Sequence, residues 1–302
     1  MTDAPEVLAG TDQQDAPQQQ GKTSSLSADA WRQLRRNPFF LFSSLLILTF
    51  LVMAVAPQLF TSIDPRACSL ARSLERPSAD AWFGTNLQGC DYYARTIYGA
   101  RASVSVGLLT VAGALLIAVL FGSLAGYYGR GVDAVIARVT DVFFGVPLIL
   151  GAIVLLSVLE NRGVLQVALV LTLFGWPVML RLMRGSVLSV VQADYVQAAR
   201  ALGASDLRIL RRHVLPNAIT PVVVYATIAV GIIIAAEATL TFLGVGLQLP
   251  AISWGLSISN ARERLLNAPH LLFFPGLFLS LAVLSFIMMG DVLRDAFDPK
   301  LR

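Results

Sequence analysis

The amino-acid sequence predicts an all-α polytopic membrane protein with six transmembrane helices. Three observations carry that prediction. Of the 302 residues, 56% are hydrophobic and only 14% are charged, whereas a soluble domain carries about 25% charged residues. Six apolar runs lie at about 39–60, 103–127, 139–159, 164–183, 217–243 and 270–290. At a rise of about 1.5 Å per residue, roughly 20 residues cross a hydrocarbon core about 30 Å thick, and each run is near or above that length. The arginines gather at the ends of the runs, as a topology signal does, and form no long basic stripe.

The elements follow in order. Residues 1–27 are rich in Gln, Asp, Ala and Pro without apolar periodicity and are expected to be a disordered cytoplasmic tail. With no apolar stretch near the start, this tail is not a secretory signal. In residues 28–37, Trp31 and Leu34 share one face while Arg32, Arg35 and Arg36 can reach lipid phosphates. That pattern suits a short interfacial helix, or a plain charged flank of the first span. Region 38–102 is expected to hold the first transmembrane helix and a long extracytoplasmic loop, about 61–102. Region 103–302 is expected to be a five-helix core. Its fourth apolar run is interrupted by Gly175, Trp176 and Pro177, which a span tolerates when neighbouring helices satisfy the freed backbone groups.

Orientation is read from Lys and Arg near the span ends. With both termini inside, the inner segments hold 15 of the 23 basic residues and the outer segments 8. Both termini are therefore expected to be cytoplasmic, although the arginines of the long outer loop dilute the signal.

Two hydrophilic segments, about 61–102 outside and 184–216 inside, are too long to be turns, and long ordered loops are usually functional. The outer one contains Cys68 and Cys90, the two cysteines of the chain, 22 residues apart. An oxidising setting favours a disulfide between them, with two free thiols as the alternative. The inner one, 194–217, reads as helix, break, helix. Tyr195 to Leu202 contains helix formers with small Ala198 and Ala199, and Gly203 can end that helix in a left-handed conformation. Ser205 or Asp206 can cap the next helix, and Pro216 precedes the fifth span. A short helix with a small-residue face suits docking into a groove of a partner protein; an amphipathic connector lying on the membrane is the alternative.

The inner segment resembles the EAA loop of ABC importer permeases, which runs E-A-A, three residues, Gly, then I-x-x-x-x-L-P. Ala198, Ala199, Gly203, Ile209, Leu215 and Pro216 match, and Gln197 stands at the acidic position. Gln keeps the length and hydrogen-bonding capacity of that residue, so Gln197→Glu is expected to be tolerated. The likeness extends through Trp82 to Thr85, Tyr98 to Arg101, Gly126-Tyr127-Tyr128-Gly129, Glu237 to Gly244, Ser253 to Gly255, and the stretch from Gly290 to Arg302. These look like the C-type permeases of dipeptide and oligopeptide importers. The resemblance implies a type I ABC importer permease fold with an extra N-terminal helix, in the bacterial inner membrane. It implies a heterodimer with a homologous permease, two ABC ATPase subunits and an extracytoplasmic solute-binding protein. It implies no cofactor in this chain, with ATP and Mg in the ATPase subunits. ATPase coupling would fall to Gln197, Ala198, Ala199, Gly203, Ile209, Leu215 and Pro216, and the solute would be a di- or oligopeptide or a related small molecule.

Other features carry less. Residues Ala16 to Thr23 look like a relaxed phosphate loop, but Pro and Gln precede it where a buried strand belongs. Glu237 lies inside a span, where a carboxylate tends to face a cavity or a partner. It is a candidate for the pathway or a gate, or else a structural hydrogen-bonding group. Asp141, at the start of the third span, reads as a cap or packing partner. Gly122 and Gly126 allow close helix approach. His213 reads as solvated and His270 as interfacial. With two histidines and two cysteines, a typical zinc site has too few ligands. No nucleophile–base constellation stands at recognisable spacing, so the chain is not expected to be an enzyme. Nucleic-acid binding fits the charge pattern poorly. A stand-alone channel or ion-coupled transporter is disfavoured, because ion coupling usually needs several intramembrane charges.

Overall fold

A computed structural model describes residues 31–297 of the chain. The phosphate-loop-like segment lies outside the described residues, as does the whole of the 1–27 tail. Residues 31–34 are helical, and Asn37 then caps helix α1, Pro38–Val55. Its side chain accepts from the Phe39 N–H at 2.9 Å, and Pro38 opens the helix with its fixed backbone angle. Only Ser43, Phe50 and Met53 of α1 are buried. A helix apolar all round that buries so little is one whose solvent is lipid.

Helix α2, Tyr92–Tyr128, begins well before the expected 103. Asp91 caps it, accepting from the Ala94 N–H at 2.7 Å. Its 37 residues reach about 55 Å, beyond the hydrocarbon thickness at both ends. Arg95 and Arg101, expected in the outer loop, therefore sit on α2. Arg101 donates to the Ala54 and Val55 carbonyls at 2.9 and 3.2 Å, closing the C-terminus of α1.

The third apolar run is not one straight span. It is α3, Arg130–Phe144, and α4, Leu148–Val158, bent by 77°. Pro147 supplies no N–H and excludes the helical conformation at Val146, so the chain must break there. Helix α5, Val164–Val191, runs unbroken past Pro177 and continues eight residues beyond the expected end at 183. Next come α6, Asp194–Ala201, and a helical stretch 206–218 that we label α7, with a π turn over Leu210–Val214. The last three are α8, Thr220–Phe242, α9, Trp254–Ala261, and α10, His270–Phe297. Five helices are long and apolar enough to cross a membrane, and the bent pair makes a sixth crossing if it counts as one span.

Helix α8 lies at the centre, against α2, α5 and α10, while α1 leans on α2 and α10. Close approach of α2 and α5 depends on Gly122 and Gly126. A Cβ on either would stand 2.9 Å or less from Met183 or Val187 atoms and 2.9 Å from an α5 carbonyl. At the far end of α1, residues 56–91 form a cap of turns. Leu34 packs with Ala296, so the start of α1 and the end of α10 share one end of the bundle with α6, α7 and the end of α2.

Candidate functional site

The segment 194–218 is a bracket with a buried base and an exposed tip. Val196, Ile209, Leu210 and Val214 are buried in the main core and fix the base. Helix α6 ends at Gly203, whose φ of +78° places it in the left-handed region. The Ala204 N–H donates to the Ala199 carbonyl at 3.1 Å and the Gly203 N–H to the Arg200 carbonyl at 3.0 Å. This pair of bonds is the Schellman arrangement that closes orphan carbonyls. Ser205 stands at the start of α7 but makes no side-chain cap. Asp206 instead accepts from the Tyr127 hydroxyl at 2.8 Å, and the Arg200 guanidinium lies 6.0 Å from the Tyr127 ring. Tyr127, at the end of α2, thus holds both sides of the Gly203 turn.

What the bracket presents is small or apolar. Gln197, Ala198, Gly203 and Pro216 are exposed, and Ala199 and Leu215 are half-buried. Leu202 is 88% exposed and Leu207 61%. Among the described residues, nothing covers them. Reading for motif positions missed Leu202, Leu207 and Tyr127. The signal available was a leucine on each side of a turn glycine in an otherwise charged loop. Gln197 Nε2 donates to the Val191 carbonyl at 2.7 Å, tying α6 back to α5. A carboxylate cannot make that bond, so Gln197→Glu removes a tie that the sequence does not reveal.

Two ion pairs brace α3 against α5 beside the bracket. Arg184 grips Asp133 through two nitrogens at 2.5 and 2.6 Å, a bidentate fork. Arg181 meets Asp141 at 2.7 Å and lies 4.0 Å from the Phe144 ring centroid. The α3–α4 elbow then forms one wall of a cleft of about 220 Å³ with α2, α5 and α8. Thr110, Phe143, Pro147, Phe174, Pro177 and Tyr225 are among its lining residues. The walls are mainly aromatic and aliphatic, with Thr110 and Tyr225 supplying hydroxyls.

Glu237 is not on the cleft wall. It is fully buried, accepting from the Ser103 hydroxyl at 3.1 Å and the Thr241 hydroxyl at 2.9 Å. Ser103 also accepts from the Trp254 N–H at 3.3 Å, and Thr241 from the Leu247 N–H at 3.0 Å. The carboxylate thereby joins α2, α8 and α9. His270, at the start of α10, is buried next to Gly84 of the cap, and His213 is half-buried. In the cap, Cys68 and Cys90 are bonded with the sulfurs 2.02 Å apart.

Comparison with known proteins agrees in one direction. Residues 118–302 match the family described as binding-protein-dependent transport system inner membrane component, and residues 25–77 match the N-terminal TM domain of oligopeptide transport permease C. The dipeptide transport system permease protein DppC of Alkalihalophilus pseudofirmus is 38% identical over 287 residues, covering 95% of this chain and 94% of that protein. The oligopeptide transport system permease protein OppC of Bacillus subtilis is 36% identical, covering 95% and 94%. The glutathione transport system permease protein GsiD of Pectobacterium atrosepticum is 36% identical, covering 90% of each. A crystal structure of an amino acid ABC transporter with histidines aligns with a TM-score of 0.50 at 14% identity, covering 67% of this chain and 92% of that one. At that identity it bears on the fold alone. The chain therefore belongs to the family of binding-protein-dependent transport system inner membrane components, the multi-span permease subunits of ABC importers.

Proposed function

We propose that this permease forms half of a translocation pathway for di- or oligopeptides, or a related small solute, and that the 194–217 loop couples it to ATPase subunits. Permeases of this family are not themselves enzymes, and ATP hydrolysis belongs to a separate subunit. Two such subunits, holding ATP and Mg, would seat on the inner face. A homologous permease would complete the pathway, and an extracytoplasmic binding protein would deliver the solute. The membrane is the inner one, with both termini cytoplasmic. The names of the relatives support the solute class, since those proteins serve dipeptide, oligopeptide and glutathione transport.

The observation that carries this reading is the bracket's asymmetry. Its base is buried, Tyr127 clamps its turn, and its tip exposes Leu202 and Ala198 with no cover among the described residues. An apolar tip on a rigid base transmits force to whatever groove receives it. The cleft beside the α3–α4 elbow is the matching candidate for the pathway wall, and the coupling residues are Gln197, Ala198, Ala199, Gly203, Ile209, Leu215 and Pro216.

The test is the reconstituted complex carrying Leu202→Asp or Gly203→Leu. The permease should insert and accumulate normally, while ATPase association or solute-stimulated hydrolysis falls at least tenfold, as for an apolar anchor removed from an interface. Normal assembly with normal uptake in both variants would reduce the loop to a connector.

A further inference from the structure

A second cavity, of about 210 Å³, lies at the opposite end of the bundle from the bracket. Cap residues Asn86 and Gln88 stand on one side, the first turn of α2 with Arg95 at its base, and α9 with Asn260, followed by the turn that carries Arg264, on the other side. Its polar residues include Arg95, Arg264, Gln88 and Asn260, with no Asp or Glu; Asn86 also lines it, but its carboxamide oxygen already accepts from the Gln88 and Cys90 N–H groups at 3.0 and 2.9 Å. Among the described residues, neither Arg95 nor Arg264 is in an ion pair. Arg95 spends one nitrogen on the Pro65 carbonyl at 3.3 Å, leaving the rest of its fork. A third arginine, Arg66, is held on this end of the molecule by the Pro250 carbonyl at 3.3 Å.

Two arginines lining one concave site without an acidic partner is an arrangement that selects a planar anion. Arginine presents donors in a rigid fork matched to carboxylate geometry, and such charge-assisted bonds are about twice as strong as neutral ones. The structure builds the site from three separate segments, so it is assembled by the tertiary fold. The Tyr92 hydroxyl donates to the Leu271 carbonyl at 2.6 Å and holds α2 against α10 at the cavity floor. The exposed Leu87 and Leu249 at its edge leave room for an apolar side chain next to the bound anion.

We propose that this cavity binds the free carboxylate of a small peptide-like solute on the outer face, before it enters the bundle. The proposal rests on the import reading for the side from which the solute arrives and for its peptide-like chemistry. Gln88 Nε2 and Asn260 would bond the neighbouring amide, and Arg95 with Arg264 the carboxylate.

The experiment is calorimetric titration of the full chain in lipid nanodiscs. The probes are glycylglycine, N-acetylglycylglycine, glycylglycinamide and inorganic phosphate. The first two should bind, and the amide, which lacks the carboxylate, should bind at least about tenfold more weakly. Arg264→Gln should cost a similar factor, and Arg264→Lys should restore part of it. The Arg264 carbonyl accepts from the Asn267 and Ala268 N–H groups at 3.1 and 2.8 Å, bonds that a change of side chain leaves in place, and Asn260→Ala provides an independent probe of the same wall. Absence of binding, equal binding of amide and acid, preference for phosphate, or indifference to both variants would each overturn the site. Binding without uptake in the complete transporter would count against the import reading alone; uptake without binding would count against this cavity alone.

Discussion

Gly203 and Glu237 show how much a single residue can be asked to do. Gly203 adopts φ +78° with open space where a Cβ would point. A side chain there costs roughly 1 kcal/mol through the backbone alone, which a membrane bundle survives, so a coupling defect in Gly203→Leu reports on docking. Glu237 is the opposite case, a buried carboxylate with both oxygens engaged. Glu237→Ala would strand the Ser103 and Thr241 hydroxyls and should lower stability by about 1–3 kcal/mol for each group left without a partner. Glu237→Gln keeps the shape and should cost less. Thermal unfolding in detergent, beside uptake by the assembled transporter, separates the two roles. Unchanged stability with altered transport in Glu237→Ala would return this residue to the pathway.

Among the elements, the outer cap and the α3–α4 elbow differ most from what hydropathy suggests. The cap holds little regular structure, yet it is tied by Leu74 N–H to the Asn86 carbonyl at 3.1 Å, by Thr85 N–H to the Glu75 carbonyl at 3.0 Å, and by the Cys68–Cys90 bond. The Phe83 ring stacks on Phe274 at 3.7 Å, fastening the cap to α10. A closed loop of 22 residues stabilises by about 3 kcal/mol in the chain-entropy model. Cys68→Ser with Cys90→Ser should therefore leave the bundle folded while the cap becomes markedly more sensitive to limited proteolysis. Mass spectrometry of unreduced peptides checks the bond directly, and alkylation of both thiols without reductant would refute it. The elbow was legible as the pair Gly145 and Pro147, two breakers two positions apart. An apolar run shows only that a segment suits lipid, and hides a break that lies within it.

For the whole molecule, the helix ends sort into two sets. Tyr127, Asp206, Leu34 and Ala296 lie at one end; Arg101, the cap and the start of α10 lie at the other. With the inner assignment following the excess of basic residues, single cysteines placed at Ser205 and near Ala79 give opposite outcomes. In intact cells, with the native pair replaced, the first should resist a membrane-impermeant thiol reagent and the second should react. Labelling at 205 from outside would invert the model of the membrane crossing.

What the sequence by itself determined is set by short-range chemistry. Runs of lipid-compatible side chains, a left-handed glycine at the end of α6, an Asn before Pro38 and the spacing of the bracket motif are local facts, and local facts survive in a string of letters. What only the tertiary structure decided depends on residues far apart in the chain. Tyr127 finding Asp206 across 79 positions is one case, and Glu237 receiving Ser103 across 134 is another. Those pairings arise because burying helix faces against one another leaves polar groups that must find partners inside the bundle. Which partner each one meets is settled by how the helices pack.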